Sequence, residues 1–177
     1  TDEDHWRLFF DFYRDTFDKL GGYATLSREF FQALAAAMPD NIVLVMAHRE
    51  GRYVAGAFSL RGKQALYGRH WGCREEFHSL HFEACYYAGI DYAIRHGLHR
   101  FEPGAQGEHK ITRGFAPTAT WSAHWIAHPE FAAAVDRFTR DEQTLMSRYM
   151  RELETHLPYK EAEAPVVRPG SGAVCDG

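Results

Sequence analysis

The stretch at 42–71 reads IVLVMAHREGRYVAGAFSLRGKQALYGRHW, and its pattern decides the fold class. Three runs rich in β-branched and aromatic residues are separated by short glycine-containing turns at 50–51 and 61–63. Such runs, bounded by turn residues, are typical of consecutive antiparallel strands, so the stretch predicts a three-stranded meander. Because the first run is apolar throughout, we expect it to be a central strand with helices covering both of its faces.

Helical periodicity flanks the meander on both sides. Apolar residues recur every three or four positions at 6–20 and again at 30–38, which predicts two amphipathic helices before the strands. After the strands, the patterns predict a helix from about Glu75 to His96, a short strand at HRFEP, a strand at TATWSAHWIA and a last helix from Pro129. The expected fold class is therefore α/β in the α+β sense, with a mixed, largely antiparallel central sheet flanked by helices.

The last predicted helix is long for a small domain. If it runs nearly to Pro158 it has about 28 residues and a length of roughly 40 Å. A helix of this length would extend beyond the rest of the domain. Two outcomes stay open for the extending part: it packs on a partner, such as a second copy or polypeptide missing here, or a kink folds it back. Composition predicts one domain over residues 1–160 and a flexible tail over residues 161–177.

Composition excludes several classes of function. No apolar run in the 177 residues approaches the roughly 18 needed to span a bilayer, so we expect no membrane span. The net charge of −4 gives no general attraction for polyanions, and general nucleic-acid binding is not expected. Three widely spaced cysteines and an acidic, aromatic amino terminus without a signal-peptide pattern predict a cytoplasmic location.

Several ionisable side chains cluster in the segment 102–115, at the end of a predicted strand. Glycines and a proline release the backbone from regular pairing there, and carboxylates, an imidazole and two cations lie close together in the sequence at the strand end. Glu102, Glu108 and His109 are candidates for a general base, and Lys110 is a candidate for stabilising an anion or binding phosphate. The alternative is a solvated turn with ordinary charges.

Three potential ligand side chains share the predicted helix after the meander. His78, His81 and Cys85 stand at i, i+3 and i+7, a spacing that places donors along one helix face and suits a transition metal. We favour the alternative, in which the two imidazoles line a cleft as substrate contacts and the thiol is a small buried apolar group. No metal site is therefore expected.

The order of the predicted elements resembles the GNAT acyltransferase fold without its first strand. The segments at 71–98 and 101–125 resemble the carboxy-terminal half of the FemAB-like proteins, a bacterial group labelled as peptidoglycan biosynthesis or recognition proteins. The resemblance implies an N-acyl or aminoacyl transferase with acyl-CoA or aminoacyl-tRNA as donor, no tightly bound cofactor, and a small molecule or peptide as substrate. It also implies a missing amino-terminal GNAT-like half.

The same resemblance implies which residues contribute to the site. In Fem-type acyltransferases an acidic, glycine-rich strand end is followed by a lysine and then Gly-Phe, and Glu102, Lys110, Gly114 and Phe115 match this pattern. A second group of polar and aromatic residues in these segments is expected to contact the substrate: His78, His81, Gln106, Arg113, Phe115, His124 and Arg69.

A third part of the resemblance concerns the residues between the third strand and its helix. Arg69 and Gly72 match the loop whose amides hold pyrophosphate in acyl-CoA-dependent GNAT enzymes. Arg74 replaces the final small residue of that loop, and Glu75 and Glu76 bring negative charge to the predicted helix start, which argues against a standard CoA site. An ordinary strand-to-helix turn is the preferred interpretation.

Two further hypotheses stay open. Trp121, His124 and Trp125 form either an aromatic platform for a sugar or peptide or, as we prefer, part of a sheet core. For the whole chain, the rival to a transferase is a binding module that kept the fold, lost the chemistry, and recognises a peptidoglycan precursor or a peptide.

Overall fold

The computed structural model describes residues 3–104 and 107–159. They belong to two compact units, one ending before residue 107 and one beginning there, and each unit is described by itself. The predicted tail at 161–177 and the candidate contact Gln106 lie outside the described residues.

A four-stranded sheet forms the centre of the first unit. The strands are β1 (Ile42–Arg49), β2 (Arg52–Arg61), β3 (Ala65–Cys73) and β4 (Arg100–Glu102), in the order β1-β2-β3-β4. The first three are antiparallel neighbours, so the predicted meander is confirmed. Strand β4 runs parallel to β3, which makes the sheet mixed and largely antiparallel, as expected from the sequence.

Strand β1 lies at one edge of this sheet, so the prediction of a central strand is wrong. Leu44 and Met46 pack on one apolar cluster, and Ala47 packs on another. Successive side chains of a strand point to opposite faces of the sheet, so an apolar run indicates that both faces are covered. It does not indicate whether the strand has hydrogen-bonded neighbours along both of its edges.

Two helices precede the sheet, as predicted: α1 (Glu3–Lys19) and α2 (Arg28–Ala37). Helix α2 begins after Ser27, whose hydroxyl oxygen accepts a hydrogen bond from the Phe30 amide at 3.2 Å and so satisfies one amide of the first turn. The two helices and β2 share a core of buried aromatic residues: Trp6, Phe9, Tyr13, Phe31 and Phe58.

A helical rod connects β3 to β4. It consists of α3 (Leu80–Phe82), a π-helical turn (Glu83–Tyr87) and α4 (Ala88–Arg95), together called the 80–95 helix. The predicted start at Glu75 is wrong, because Glu75 instead pairs with Arg52 of β2 at 2.9 Å. Ser79 then adopts a positive φ of 63° immediately before the helix.

The second unit contains a 3₁₀ turn (Glu108–Arg113) and α5 (Pro129–Glu154), an uninterrupted helix of 26 residues. The predicted strand at 118–127 is wrong, because this segment is irregular and Trp121 and Trp125 are 84% and 87% exposed. Alternating residues form a strand only where a neighbouring strand pairs with their backbone, so the sheet-core interpretation is wrong as well. No described helix is both long and apolar enough to cross a bilayer.

Candidate functional site

An open groove of about 470 Å³ lies in the first unit, beside the end of β1 and the start of the 80–95 helix. Apolar side chains that are buried or half-buried form its floor: Ala47, Val54, Phe77 and Leu80. Exposed polar side chains form its rim: His48, Arg49, His78, Ser79, Glu83 and Tyr87. An apolar floor with a few polar groups around it is the usual composition of a ligand site.

Two local irregularities shape this groove. The register of β1 against β2 shifts between Ala47 and His48, and such a bulge strengthens the twist and redirects the side chains that follow it. On the helical side, the π-helical turn at Glu83–Tyr87 carries two of the rim residues. Single π-helical turns within α-helices are frequent at functional sites.

The rim of the groove carries opposite charges. The Arg49 guanidinium lies 4.7 Å from the centroid of the Phe77 ring, and its Nε is 3.4 Å from a carboxylate oxygen of Glu50. Stacking on the ring keeps the planar cation beside the apolar floor. Glu83 brings a carboxylate to the same groove. The groove can therefore bind a ligand that carries a carboxylate, an ammonium group and an apolar portion.

A row of aromatic and imidazole rings continues from the rim. The His48 ring meets the Tyr53 ring edge to face at 5.3 Å, and the Tyr53 hydroxyl is 2.8 Å from Nε2 of His5. The hydrogen bond between Tyr53 and His5 holds both side chains in place beside His48. The row therefore places ring nitrogens and a hydroxyl group, which can form hydrogen bonds with a ligand, beside the groove.

The 3₁₀ turn of the second unit carries three of the predicted site residues. Lys110 is only 9% exposed, whereas Glu108 and His109 are exposed. Desolvation lowers the pKa of His109, and the neighbouring cations of Lys110 and Arg113 lower this pKa further. At neutral pH the His109 imidazole is therefore uncharged and able to accept a proton.

Hydrogen bonds hold this turn in place. The Arg113 guanidinium donates to the His109 carbonyl oxygen at 2.6 Å, and the Phe115 amide donates to the Lys110 carbonyl oxygen at 3.1 Å. The Tyr149 hydroxyl of α5 donates to the Glu108 carboxylate, which raises the pKa of Tyr149. The hydrogen bond from Tyr149 orients the turn, and the Glu108 carboxylate can still accept hydrogen bonds from other donors.

A family model described as FemAB-like, peptidoglycan biosynthesis/recognition, matches residues 1–161 of the chain. The chain belongs to the FemAB-like family. No curated protein matches its sequence. The predicted family is thus confirmed, and a peptidoglycan-related role follows from the family description, whereas membership of the GNAT superfamily stays a prediction.

Two predicted site residues of the FemAB-like chain lie on the sheet. Glu102 is the last residue of β4 and pairs with Arg100 at 2.9 Å. Arg69 lies within β3, with its guanidinium 5.2 Å from the centroid of the Tyr67 ring. The match to a pyrophosphate loop is therefore wrong for this segment, because Arg69 and Gly72 belong to a strand whose backbone groups pair with β2.

The remaining candidates are distributed over both units. His78 lines the groove beside the end of β1. The His81 ring instead packs against the rings of Trp71 and Tyr86, each at 5.4 Å. His124 lies in the irregular segment of the second unit, where its Nε2 is 2.9 Å from the Ser122 hydroxyl.

The structure brings together no metal site from His78, His81 and Cys85. His78 precedes the helix, and the π-helical turn at Glu83–Tyr87 changes the angular spacing before Cys85 is reached. Within residues 3–104 and 107–159, no three histidine, cysteine or carboxylate side chains converge as metal ligands. The i, i+3, i+7 pattern therefore fails in this FemAB-like chain because it presumes a regular α-helix.

Sequence reasoning missed five of the six rim residues: His48, Arg49, Ser79, Glu83 and Tyr87. One signal was present in the sequence, because His48 and Arg49 are the first polar residues after the apolar run of β1. Polar residues at the end of a buried strand are frequent site residues. Glu83 and Tyr87 gave no comparable signal, since their position in the groove depends on where the π-helical turn forms.

Proposed function

We propose that this FemAB-like chain takes part in N-acyl or aminoacyl transfer to an amine of a peptide, with the peptide portion of a peptidoglycan precursor as the substrate. The family description supports a peptidoglycan-related role. The observation that carries the proposal is the groove, in which Arg49 and Glu83 place opposite charges beside an apolar floor.

This arrangement is complementary to a short peptide. Arg49 offers a planar cation to a terminal carboxylate, and Glu83 offers a carboxylate to an ammonium group. Phe77 and Leu80 offer apolar surface to aliphatic side chains of the kind found in cell-wall peptides. His78 is the predicted contact residue that lies in the same groove.

The proposed chemistry uses the predicted residues Glu102, Glu108, His109 and Lys110. The amine nitrogen attacks the acyl carbonyl carbon, a C–N bond forms, and the bond from this carbon to the CoA sulfur or the tRNA ribose oxygen breaks. His109 is the preferred base, because its lowered pKa keeps the imidazole neutral and ready to take the amine proton. Lys110 stabilises the oxyanion, and His109 passes the proton that it accepted to the departing CoA sulfur or ribose oxygen.

Calorimetric titration of the 177-residue chain with a muramyl peptide tests the groove. Removing one charge-assisted contact costs about 1.5–3 kcal/mol, so Arg49→Ala and Glu83→Gln should each raise the Kd by about tenfold or more. Arg52→Ala is the matched control, because Arg52 belongs to the same hairpin but pairs with Glu75 outside the groove. Equal Kd values for the wild type and both groove variants would contradict the proposal.

A transfer assay tests the chemistry separately. With an acyl-CoA or aminoacyl-tRNA donor and the same peptide, His109→Asn and Lys110→Met should lower kcat by about a hundredfold while leaving the peptide Kd unchanged. Thr120→Val, at an exposed position of the same unit outside the turn, is the control and should keep full activity. Undiminished turnover in both site variants would show that these residues are not catalytic.

The second candidate function is a binding module without turnover. It is favoured by the position of Arg69 and Gly72 within β3, which removes the match to an acyl-CoA phosphate loop. Peptide binding by the groove, without donor binding and without transfer, would support the module. Transfer from either donor would rule it out.

A further inference from the structure

Two tyrosine hydroxyl groups hold the 3₁₀ turn of the second unit at its two ends. The Tyr149 hydroxyl of α5 donates a hydrogen bond to the carboxylate of Glu108, the first residue of the turn. The Tyr159 hydroxyl donates to the carbonyl oxygen of Gly114, directly after the turn, at 2.8 Å. The two bonds join residues 41 and 45 positions apart in the chain, so they are tertiary contacts that attach the turn to a distant segment.

The backbone of the turn gives it only weak support. Its six residues form a 3₁₀ helix, whose hydrogen-bond geometry is poorer than that of an α-helix. Gly107 and Gly114 flank the turn with positive φ angles of 103° and 87°, and glycine changes backbone conformation more easily than any other residue. The flanking chain therefore fixes the direction of the turn only loosely, and the two tyrosines supply the missing restraint.

The residues between the two anchoring bonds are those that the proposed transfer uses. His109 and Lys110 directly follow Glu108 in the turn. Reacting groups need a closely defined geometry, and a displacement of about 1 Å can lower a rate about a hundredfold. A turn that tilts about its flanking glycines would carry both side chains away from the reacting atoms.

We propose that Tyr149 and Tyr159 are positioning residues, which keep His109 and Lys110 in the orientation that acyl transfer requires. This inference rests on the proposed function and deepens it, because it gives Glu108 a part other than that of a base. A carboxylate that accepts a hydrogen bond is stabilised in its charged form, so it takes up a proton less readily. Glu108 is thus the anchor of the turn, and His109 is its general base.

An NMR titration tests the bond between Tyr149 and Glu108 without any activity. The chain is isotopically labelled at the tyrosine ring carbon that carries the hydroxyl, and the Tyr149 signal is identified by its loss in Tyr149→Phe. The hydrogen bond to Glu108 raises the pKa of Tyr149, so Glu108→Ala should shift this pKa downward. Glu130→Ala is the matched control, because Glu130 lies about 28 Å away along α5 and should leave this pKa unchanged. An equal Tyr149 pKa in the wild type and in Glu108→Ala overturns the proposal.

A transfer assay tests the positioning role. The acceptor is a muramyl tripeptide with a free lysine amine, and the donor is acetyl-CoA or alanyl-tRNA. Tyr149→Phe and Tyr159→Phe should each lower kcat about fivefold, because each frees one end of the turn and reduces the fraction of molecules in the productive orientation. The KM for the peptide should stay unchanged, since the groove of the first unit binds the peptide. Tyr23→Phe, at a position that is 90% exposed in the first unit, is the control and should keep the wild-type kcat.

Two replacements of Glu108 separate an anchor from a base. Glu108→Gln keeps an oxygen that accepts a hydrogen bond, whereas Glu108→Ala keeps none. For an anchor, Glu108→Ala should lower kcat about fivefold, like Tyr149→Phe, and Glu108→Gln should lower it less. The double variant of Glu108→Ala and Tyr149→Phe should then lose no more than either change alone, because both remove the same bond. For a general base, both replacements should lower kcat about a hundredfold.

The outcomes of the transfer assay distinguish two kinds of failure. A wild type that transfers from neither donor refutes the proposed function and with it the positioning role. If the wild type transfers, an unchanged kcat in Tyr149→Phe or Tyr159→Phe overturns the role of that tyrosine alone. A raised peptide KM with an unchanged kcat would show that the tyrosine contacts the peptide instead. A loss of about a hundredfold in Glu108→Gln would make Glu108 the base. Circular dichroism verifies that each variant keeps the helical content of the wild type.

Discussion

Replacing Gly72 with alanine tests whether this glycine serves packing or ligand binding. A methyl group built at Gly72 would overlap the carbonyl group of Phe12 and crowd the Tyr13 amide. These are backbone atoms of α1, so no side-chain rotation relieves the overlap. Helix α1 must therefore move away from β3 by about 1 Å to restore ordinary van der Waals contact.

The energetic cost of this displacement follows from what α1 buries. Its four buried residues are Trp6, Phe9, Phe12 and Tyr13. Aromatic side chains bury about 150 Å² or more each, so together they contribute about 15 kcal/mol at 25 cal/mol per Å². A gap of 0.5–1 Å forfeits roughly a quarter to a half of the energy of such contacts, which gives a loss of about 4–7 kcal/mol in unfolding free energy. This is a large part of the usual stability of a domain.

Urea unfolding followed by circular dichroism measures this loss. Gly22→Ala is the matched control, because a methyl group there lies 3.6 Å from the Phe17 ring, an ordinary contact, and we expect a change within about 0.5 kcal/mol. If the unfolding free energy of Gly72→Ala lies within about 0.5 kcal/mol of the wild-type value, the argument from the close approach of the α1 backbone to Gly72 is refuted.

Three further predictions concern stability. Ser27→Ala removes the cap of α2 and should lower the unfolding free energy by about 1 kcal/mol in urea unfolding, whereas Ser27→Asp should preserve it. Gly89→Ala places a methyl group 2.5 Å from Cζ of Phe101, so it should lower the unfolding free energy by about 1–3 kcal/mol. In thermal denaturation this loss should be much smaller when Phe101 is also replaced by leucine, because the ring that meets the methyl group is gone. Burial lowers the pKa of His70, so this imidazole takes up a proton near pH 6.5 in the unfolded chain while it is still neutral in the folded state. The unfolding free energy should therefore fall as the pH drops below 6.5. The fall should be smaller in His70→Phe, and equal pH slopes for both proteins would contradict the assignment to His70.

The candidate site was only partly predictable from the sequence. The polar turn with Glu108, His109 and Lys110 is visible in the sequence because glycines and ionisable residues cluster there. The sequence pattern places His78 on a regular helix, whereas the helix begins two residues after it. Gly72 makes the segment after Arg69 resemble a turn, because a glycine serves either a turn or a close packing contact and the sequence does not distinguish the two.

The groove was not predictable because its parts are distant along the chain. Its rim joins Arg49 at the end of β1 to Glu83 in the π-helical turn, and each residue is an ordinary exposed charge when considered alone. The bulge after Ala47 and the positive φ of Ser79 direct these side chains toward a common floor. Neither irregularity leaves a periodic signal in the sequence.

The resemblance of the segments at 71–98 and 101–125 identified the family. The residue pattern of the sequence determined the three-stranded meander, the two opening helices and the long last helix. These features depend on short-range periodicity and turn residues, which act within a few positions of the chain. Only the tertiary structure decided that β1 lies at an edge, that Gly72 receives the backbone of α1, and that the segment at 118–127 forms no strand. Each of these outcomes depends on which distant segment lies alongside, and the free energy of such contacts is set by packing and backbone pairing rather than by local residue pattern.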